Sequence, residues 1–306
     1  MATMTASRRI IGLAGCGRWG EHILRDLVAL GCEVIVADPS DHARHRALEG
    51  GACGAVAGVA ELPAIDGAVI ATPTRTHAAM VEALVAREVP IFCEKPLTAD
   101  RASASRLAAL VPAHLFVMDK WRYHPGVEML AEIARSSELG QVCGLRTTRV
   151  GEASRHDVDP VWTLAPHDLS IALEILGHIP EPRRAVPERL GTAATGMIAM
   201  LGDDPWMLLE VSGMNHARRR EVQLHCRHGL AVLADAYSDH VRVLRADGRS
   251  ERRPISAELP LTRELRAFLH HLDGGPAPRS TAREGADVVD TIARLRALAG
   301  IGEELA

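Results

Sequence analysis

Two short stretches carry residue types whose spacing can do chemistry. Gly15-Cys16-Gly17-Arg18-Trp19-Gly20 is a GxGxxG turn between the apolar run Ile10-Ile11-Gly12-Leu13-Ala14 and a helical pattern from Glu21 to Leu30. Glycines in such a turn let backbone N–H groups approach a pyrophosphate, whose charge the helix N-terminus meets with partial positive charge. Further on, Phe92-Cys93-Glu94-Lys95-Pro96 sets a lysine at the end of an apolar strand pattern. Beside a nicotinamide, that lysine would hydrogen-bond a substrate oxygen and stabilise negative charge as hydride moves. Outside this context Lys95 reads as an exposed loop lysine paired with Glu94.

A second strand, Glu33-Val34-Ile35-Val36-Ala37, ends in Asp38 and completes the dinucleotide fingerprint. An acid at this position accepts hydrogen bonds from ribose hydroxyls and repels a 2′-phosphate, which favours NAD over NADP. Arg44, His45 and Arg46 are the counter-signal, because an arginine nearby accommodates a phosphate; as ordinary helix residues they form a solvated face.

The elements that must position these residues follow the hydrophobic pattern. Helices over Asp41 to Glu49, Thr76 to Arg87 and Asp100 to Leu110 alternate with strands at Gly67 to Ala71, Val89 to Cys93 and His114 to Met118. Such alternation predicts right-handed βαβ units and a doubly wound parallel sheet, a Rossmann domain over residues 1–120. Ligands bind beyond the carboxyl ends of such strands, where Gly15 to Gly20, Asp38, Thr72-Pro73-Thr74 and Glu94-Lys95-Pro96 all fall. Residues 121–306 predict an α+β domain: a helix from Gly126 to Ser136, a strand from Val142 to Val150, and a helix centred on His167 to Leu176. Strands follow over Thr192 to Leu201, Trp206 to Ser212, Arg220 to Cys226, Ala231 to Asp235 and Val241 to Arg245, in a large, mostly antiparallel sheet. Helices over Thr262 to Leu272 and Thr281 to Leu298 close the chain.

Composition narrows the function classes. With 306 residues, 47% apolar, 24% charged and a formal net charge of −4, the chain fits two globular domains and offers no basic tract for nucleic acid. No run approaches a membrane span, and Met1 to Arg9 is polar and too short for a signal-peptide core, so a cytoplasmic protein is expected. Six cysteines lie singly with no CxxC pair, and fifteen histidines show no metal-ligand spacing; reduced thiols and no metal site are expected.

The chain resembles the Gfo/Idh/MocA family, the glucose-fructose oxidoreductase and inositol dehydrogenase relatives, over nearly its whole length. The resemblance rests on GCGRWG, on Ala71-Thr72-Pro73 followed by His77, on Cys93 to Leu97, and on the pattern Pro260 to Leu272. Within the family, Val161-Trp162-Thr163-Leu164-Ala165-Pro166-His167-Asp168-Leu169-Ser170 is most similar to the 3-dehydrogenases of nucleotide-linked amino sugars and their uronates. The resemblance implies a cofactor site of Gly15, Gly17, Arg18, Trp19, Gly20, Asp38, Thr72, Pro73, His77, Glu94 and Lys95. It makes Lys95 the active-site lysine, held by a cis Lys95-Pro96 bond, and implies assembly into a homodimer or homotetramer through the C-terminal sheet.

His167 is the second catalytic candidate. Pro166 suits a first helical position, which would put His167 in the first turn, where the helix dipole favours a neutral imidazole able to accept a proton. Leu169, Leu173 and Leu176 would form the apolar face, with His167, Ser170 and Glu174 on another. Relatives commonly carry a carboxylate four residues before this histidine; here Thr163 stands there, and Asp168 or Asp159 are the acids that could compensate. Arg122, Tyr123, Arg149, Arg155, Thr163, His167, Asp168 and Lys95 are the substrate-binding candidates, the arginines for phosphate or carboxylate. Surface solvation explains Arg149 and Arg155 equally well. The expected chemistry is hydride transfer between nicotinamide and a sugar or cyclitol hydroxyl, the sugar nucleotide-linked or phosphorylated. Reduction of an imine or enal, and a non-catalytic NAD- and sugar-binding sensor, are the alternatives.

Overall fold

The computed structural model describes residues 8–111, 113–152 and 158–302. Contacts divide the chain into two units: residues 1–98, 102–118 and 261–285, and residues 99–101, 119–260 and 286–306.

In the first unit, β1 (Ile10–Ala14), α1 (Arg18–Ala29), β2 (Glu33–Ala37), α2 (Asp41–Glu49), β3 (Gly54–Val56), β4 (Gly67–Ile70), α3 (His77–Val85), β5 (Ile91–Glu94), α4 (Arg101–Leu110) and β6 (Leu115–Met118) alternate. The six strands are all parallel in the order β3-β2-β1-β4-β5-β6, the doubly wound sheet expected from sequence. The order reverses between β1 and β4, so the crevice beyond their carboxyl ends is the topological switch point. Near-continuous apolar strands such as Gly67–Ile70 and Leu115–Met118 are buried throughout, as a sheet covered on both faces requires.

In the second unit, α5 (Pro125–Ser136), β7 (Val142–Val150) and α6 (Pro160–Leu176) precede β8 (Pro182–Leu190), β9 (Ala193–Leu201), β10 (Trp206–Ser212), β11 (Arg219–Cys226), β12 (Gly229–Leu233), β13 (His240–Arg245) and β14 (Ser250–Pro254). The eight strands run in the order β14-β13-β12-β11-β7-β10-β9-β8, antiparallel except for the parallel pair β7 and β10. α5 and α6 pack on this sheet. Met197, Ala199, Leu201, Met207, Leu209 and Val211 point to a buried face, while the alternate residues Ile198 and Met200 are 52% and 45% exposed. One face of the sheet is covered and the other open.

Two helices follow, α7 (Pro260–Leu272) and α8 (Ala282–Leu298). A single cut after residue 120 does not describe the units, because Leu261–Gly285 returns to the first. The cause is apolar: Leu261, Leu265 and Phe268 recur at helical spacing and join the Rossmann core, where Phe268 stacks on Phe92 with centroids 4.9 Å apart. Thr262 adds a hydrogen bond from its hydroxyl to Asp26 at 2.9 Å.

Candidate active site

The glycine-rich turn divides its tasks among its glycines. Gly15 has φ +86°, and a Cβ there would press on Thr72 at 2.9 Å. A Cβ at Gly20 would collide with the Gly15 carbonyl, so α1 approaches the turn as closely as it does only with glycine at that position. A Cβ at Gly17 would meet only open space, so a pyrophosphate can approach the turn closely at that position. Arg18 opens α1 and is exposed.

Asp38 lies at the end of β2. Its Oδ2 accepts from the Cys16 N–H at 2.8 Å and its Oδ1 from the Ser40 N–H at 2.9 Å. Each carboxylate oxygen has a further lone pair for a ribose hydroxyl. The basic residues nearby are engaged: Arg44 donates to the carbonyls of Asp38 and Pro39 at 2.8 and 3.0 Å and pairs with Asp41, while Arg46 pairs with Glu21 at 2.6 Å. This donor and acceptor set fits NAD.

The Lys95 segment is tied to the same turn. Lys95-Pro96 is cis. Glu94, 3% exposed, accepts from the Trp19 indole N–H and, at 3.2 Å, from the Lys95 backbone N–H. Lys95 is 6% exposed, a buried strand-end lysine and not the loop lysine of an ordinary surface. Thr72 and Pro73 follow β4 at the crevice, and the Thr76 hydroxyl donates to the Thr72 hydroxyl at 2.8 Å or the Pro73 carbonyl at 2.7 Å. His77 differs from its expected cofactor contact. It is fully buried, its Nδ1 lying 3.0 Å from the Pro96 carbonyl and its Nε2 2.9 Å from that of Thr72, so it braces two turns and presents no surface to a dinucleotide.

His167 sits elsewhere on its helix than the sequence pattern suggested. α6 starts at Pro160, capped by Asp159, whose side chain accepts from the N–H groups of Val161 and Trp162. Pro166 therefore lies inside the helix and His167 follows it, beyond the first turn, where the dipole effect has faded. Asp159-Pro160 is itself a start signal, passed over in favour of the second proline. The expected split into apolar and polar faces also fails. Residues are buried nearly all round α6, Ser170 included, and the Ser170 hydroxyl donates to the His167 carbonyl at 2.9 Å. His167 keeps partial exposure.

Three arginine–carboxylate pairs pin this helix from three other segments. Asp159 pairs with Arg296 of α8, Asp168 with Arg149 of β7 at 2.9 Å, and Glu174 with Arg122 at 3.1 Å. The side chains of Arg149 and Asp168 are 3% and 1% exposed, so this pair is interior. Burial pushes the Asp168 carboxyl up, opposed by the neighbouring cations Arg149 and Arg220. Arg220, opposite Arg149 in the β7–β11 register, is pushed down to about 10 by burial and by the neighbouring cations Arg149 and Arg218. Thr163 occupies the expected carboxylate position, buried, with its hydroxyl donating back to the Asp159 carbonyl at 3.2 Å.

Several substrate candidates thus turn out to be packed residues. Arg149 and Arg122 are buried and held by carboxylates, which removes the solvated-surface reading of Arg149. Tyr123 is 5% exposed. Arg155 lies outside the described residues. Sequence reasoning did not single out Arg296 or Arg220, since a lone arginine in a helix or strand pattern reads as solvated.

Comparison with known proteins accords with this geometry. Residues 10–116 match an oxidoreductase family with an NAD-binding Rossmann fold, GFO_IDH_MocA. The myo-inositol dehydrogenase Hyg17 of Streptomyces leeuwenhoekii is 34% identical over 157 residues, 49% of this chain and 46% of that protein. The rhizopine catabolism protein MocA of Rhizobium meliloti is 34% identical over 139 residues, 43% and 44% of the two chains. The chain thus spans about half the length of these curated relatives. The UDP-N-acetylglucosamine 3-dehydrogenase of Acidithiobacillus ferrooxidans shares the fold with TM-score 0.85 and 22% identity over 98% of this chain and all of that one. A levoglucosan dehydrogenase solved with NADH and levoglucosan gives TM-score 0.83 and 17% identity over 98% and 99%. The Rossmann portion of the chain is thus similar to Gfo/Idh/MocA oxidoreductases.

Proposed function

We propose that this chain is a member of the Gfo/Idh/MocA family and an NAD-dependent dehydrogenase that moves hydride between nicotinamide and a carbinol carbon of a sugar or cyclitol. The observation that carries this reading is the buried Lys95 at the end of β5, joined through Glu94 and Trp19 to the glycine-rich turn of the cofactor crevice. Bound NAD supplies the hydride acceptor. Gly17 and the start of α1 hold its pyrophosphate, Asp38 its ribose, and the Lys95 ammonium stabilises the substrate oxygen as negative charge develops. His167 takes the hydroxyl proton, a step typically worth 10²–10⁴-fold. Thr163 cannot serve as a carboxylate base, and Asp168 is committed to Arg149, so the imidazole carries the proton in this reading.

The named relatives support a polyol substrate, cyclitols on the side of sequence and a nucleotide-linked sugar on the side of fold. We favour the nucleotide-linked sugar, and with it a second copy of this chain on the open sheet face. Six cysteines free of disulfides accord with a cytoplasmic setting. No helix among the described residues is long and apolar enough to cross a membrane. The test is a screen of UDP-N-acetylglucosamine, its uronate and myo-inositol with NAD+, read as reduced nicotinamide absorbance. Turnover of none, under conditions where NAD binds, refutes the dehydrogenase reading.

A further inference from the structure

Arg149 has a stacked support behind it. Its guanidinium lies 4.2 Å from the ring centroid of Trp121, and Trp121 stacks on His124 with centroids 5.0 Å apart and planes 10° from parallel. His124 accepts the Gly126 N–H at Nδ1, 3.0 Å, and so carries its proton on Nε2, which donates to the Ala236 carbonyl at 3.0 Å. Both ring nitrogens are thereby fixed, and a packed column runs His124, Trp121, Arg149, Asp168. The segment Trp121 to His124 is buried, which suits support more than substrate contact.

The column ends on the residue after His167. The residue before His167 is Pro166, which has no N–H to give the Trp162 carbonyl, so α6 lacks one of its own hydrogen bonds at this turn. A helix so weakened takes its local setting from tertiary contacts, and the nearest charged one is Asp168 with Arg149. We propose that Arg149 is a positioning residue that, through Asp168, fixes the rotational setting of α6 and with it the aim of the His167 imidazole. The inference rests on His167 being the proton acceptor of the proposed reaction.

The decisive comparison is Arg149→Met against the pair Arg149→Met with Asp168→Asn. The single variant strands a buried carboxylate and lowers the melting temperature; the pair removes both charges and restores it. A merely structural role would restore turnover with it. Positioning predicts that kcat for the best polyol stays down by roughly tenfold to a hundredfold, the cost of a misaimed group, with KM for NAD+ unchanged. Arg296→Met, which breaks the buried pair at the start of α6, should lower stability and retain kcat. Independent of turnover, the His167 ring resonance, assigned by loss in His167→Gln, should be single in the native protein and doubled or broadened in the charge-free pair. Should that pair not fold, Trp121→Leu removes the support while leaving the ion pair, and the same ring broadening is expected. A single native-like His167 signal in the folded variant, or kcat recovering with stability, overturns the proposal. If the native protein turns over no polyol, the dehydrogenase reading fails, and the ring resonance still decides the positioning.

Discussion

At the scale of residues, charge placement makes the sharpest statements. Asp38 follows β2, the position at which an acid repels a 2′-phosphate, and Arg44 is spent on backbone carbonyls and Asp41. Binding should therefore favour NAD(H) over NADP(H) by at least about tenfold, or about 1.4 kcal/mol, in parallel titrations. Asp38→Ser should narrow the gap, because it removes the repulsion. Equal affinity in the native protein would show that Arg44 or Arg46 rearranges to receive the phosphate. For the chemistry, Lys95→Ala and His167→Ala should each lower kcat by about 10²–10⁴-fold, as loss of oxyanion or acid–base support does, with NAD affinity nearly unchanged. Near-native turnover by His167→Ala on a proven substrate would move the proton to another group.

At the scale of elements, the strands that sequence pattern passed over share one property. β3, β8 and β14 are all edge strands, and β8 and β14 carry the sequences PRRAVPERL and SERRP. An edge strand is protected from further pairing by charge and proline, the features that erase hydrophobic alternation. The opposite case is α7, whose apolar spacing was legible while its destination in the Rossmann core was not. Because Phe268 is fully buried against Phe92, Phe268→Ala should destabilise the protein by about 3–5 kcal/mol in urea unfolding. A change under about 1 kcal/mol, the size of a typical surface effect, would mean that α7 contributes little to that core. For α6 the period was legible and the start was not, since two prolines compete as first helical residue and only the cap at Asp159 decides between them.

At the scale of the whole molecule, one sheet face is left open among the described residues. Val186, Ile198 and Met200 lie on it, 66%, 52% and 45% exposed, across the paired strands β8 and β9. A contiguous apolar patch of this kind favours association, and a symmetric homodimer would cover it with its own equivalent. Sedimentation at micromolar protein should give a dimer or larger species, and Ile198→Lys should shift it toward monomer; a native monomer removes the proposal. The sequence by itself determined the alternating parallel sheet, the cofactor turn, Asp38 and the lysine at the end of β5, because these depend on local pattern: apolar period, glycine placement and residues adjacent in the chain. Only the tertiary structure decided which arginines are solvated, which carboxylates they meet and where α7 packs. Arg149 and Asp168, Arg122 and Glu174, Arg296 and Asp159 are each far apart in sequence, and burial of a charge is energetically tolerable only when the fold delivers its counter-charge.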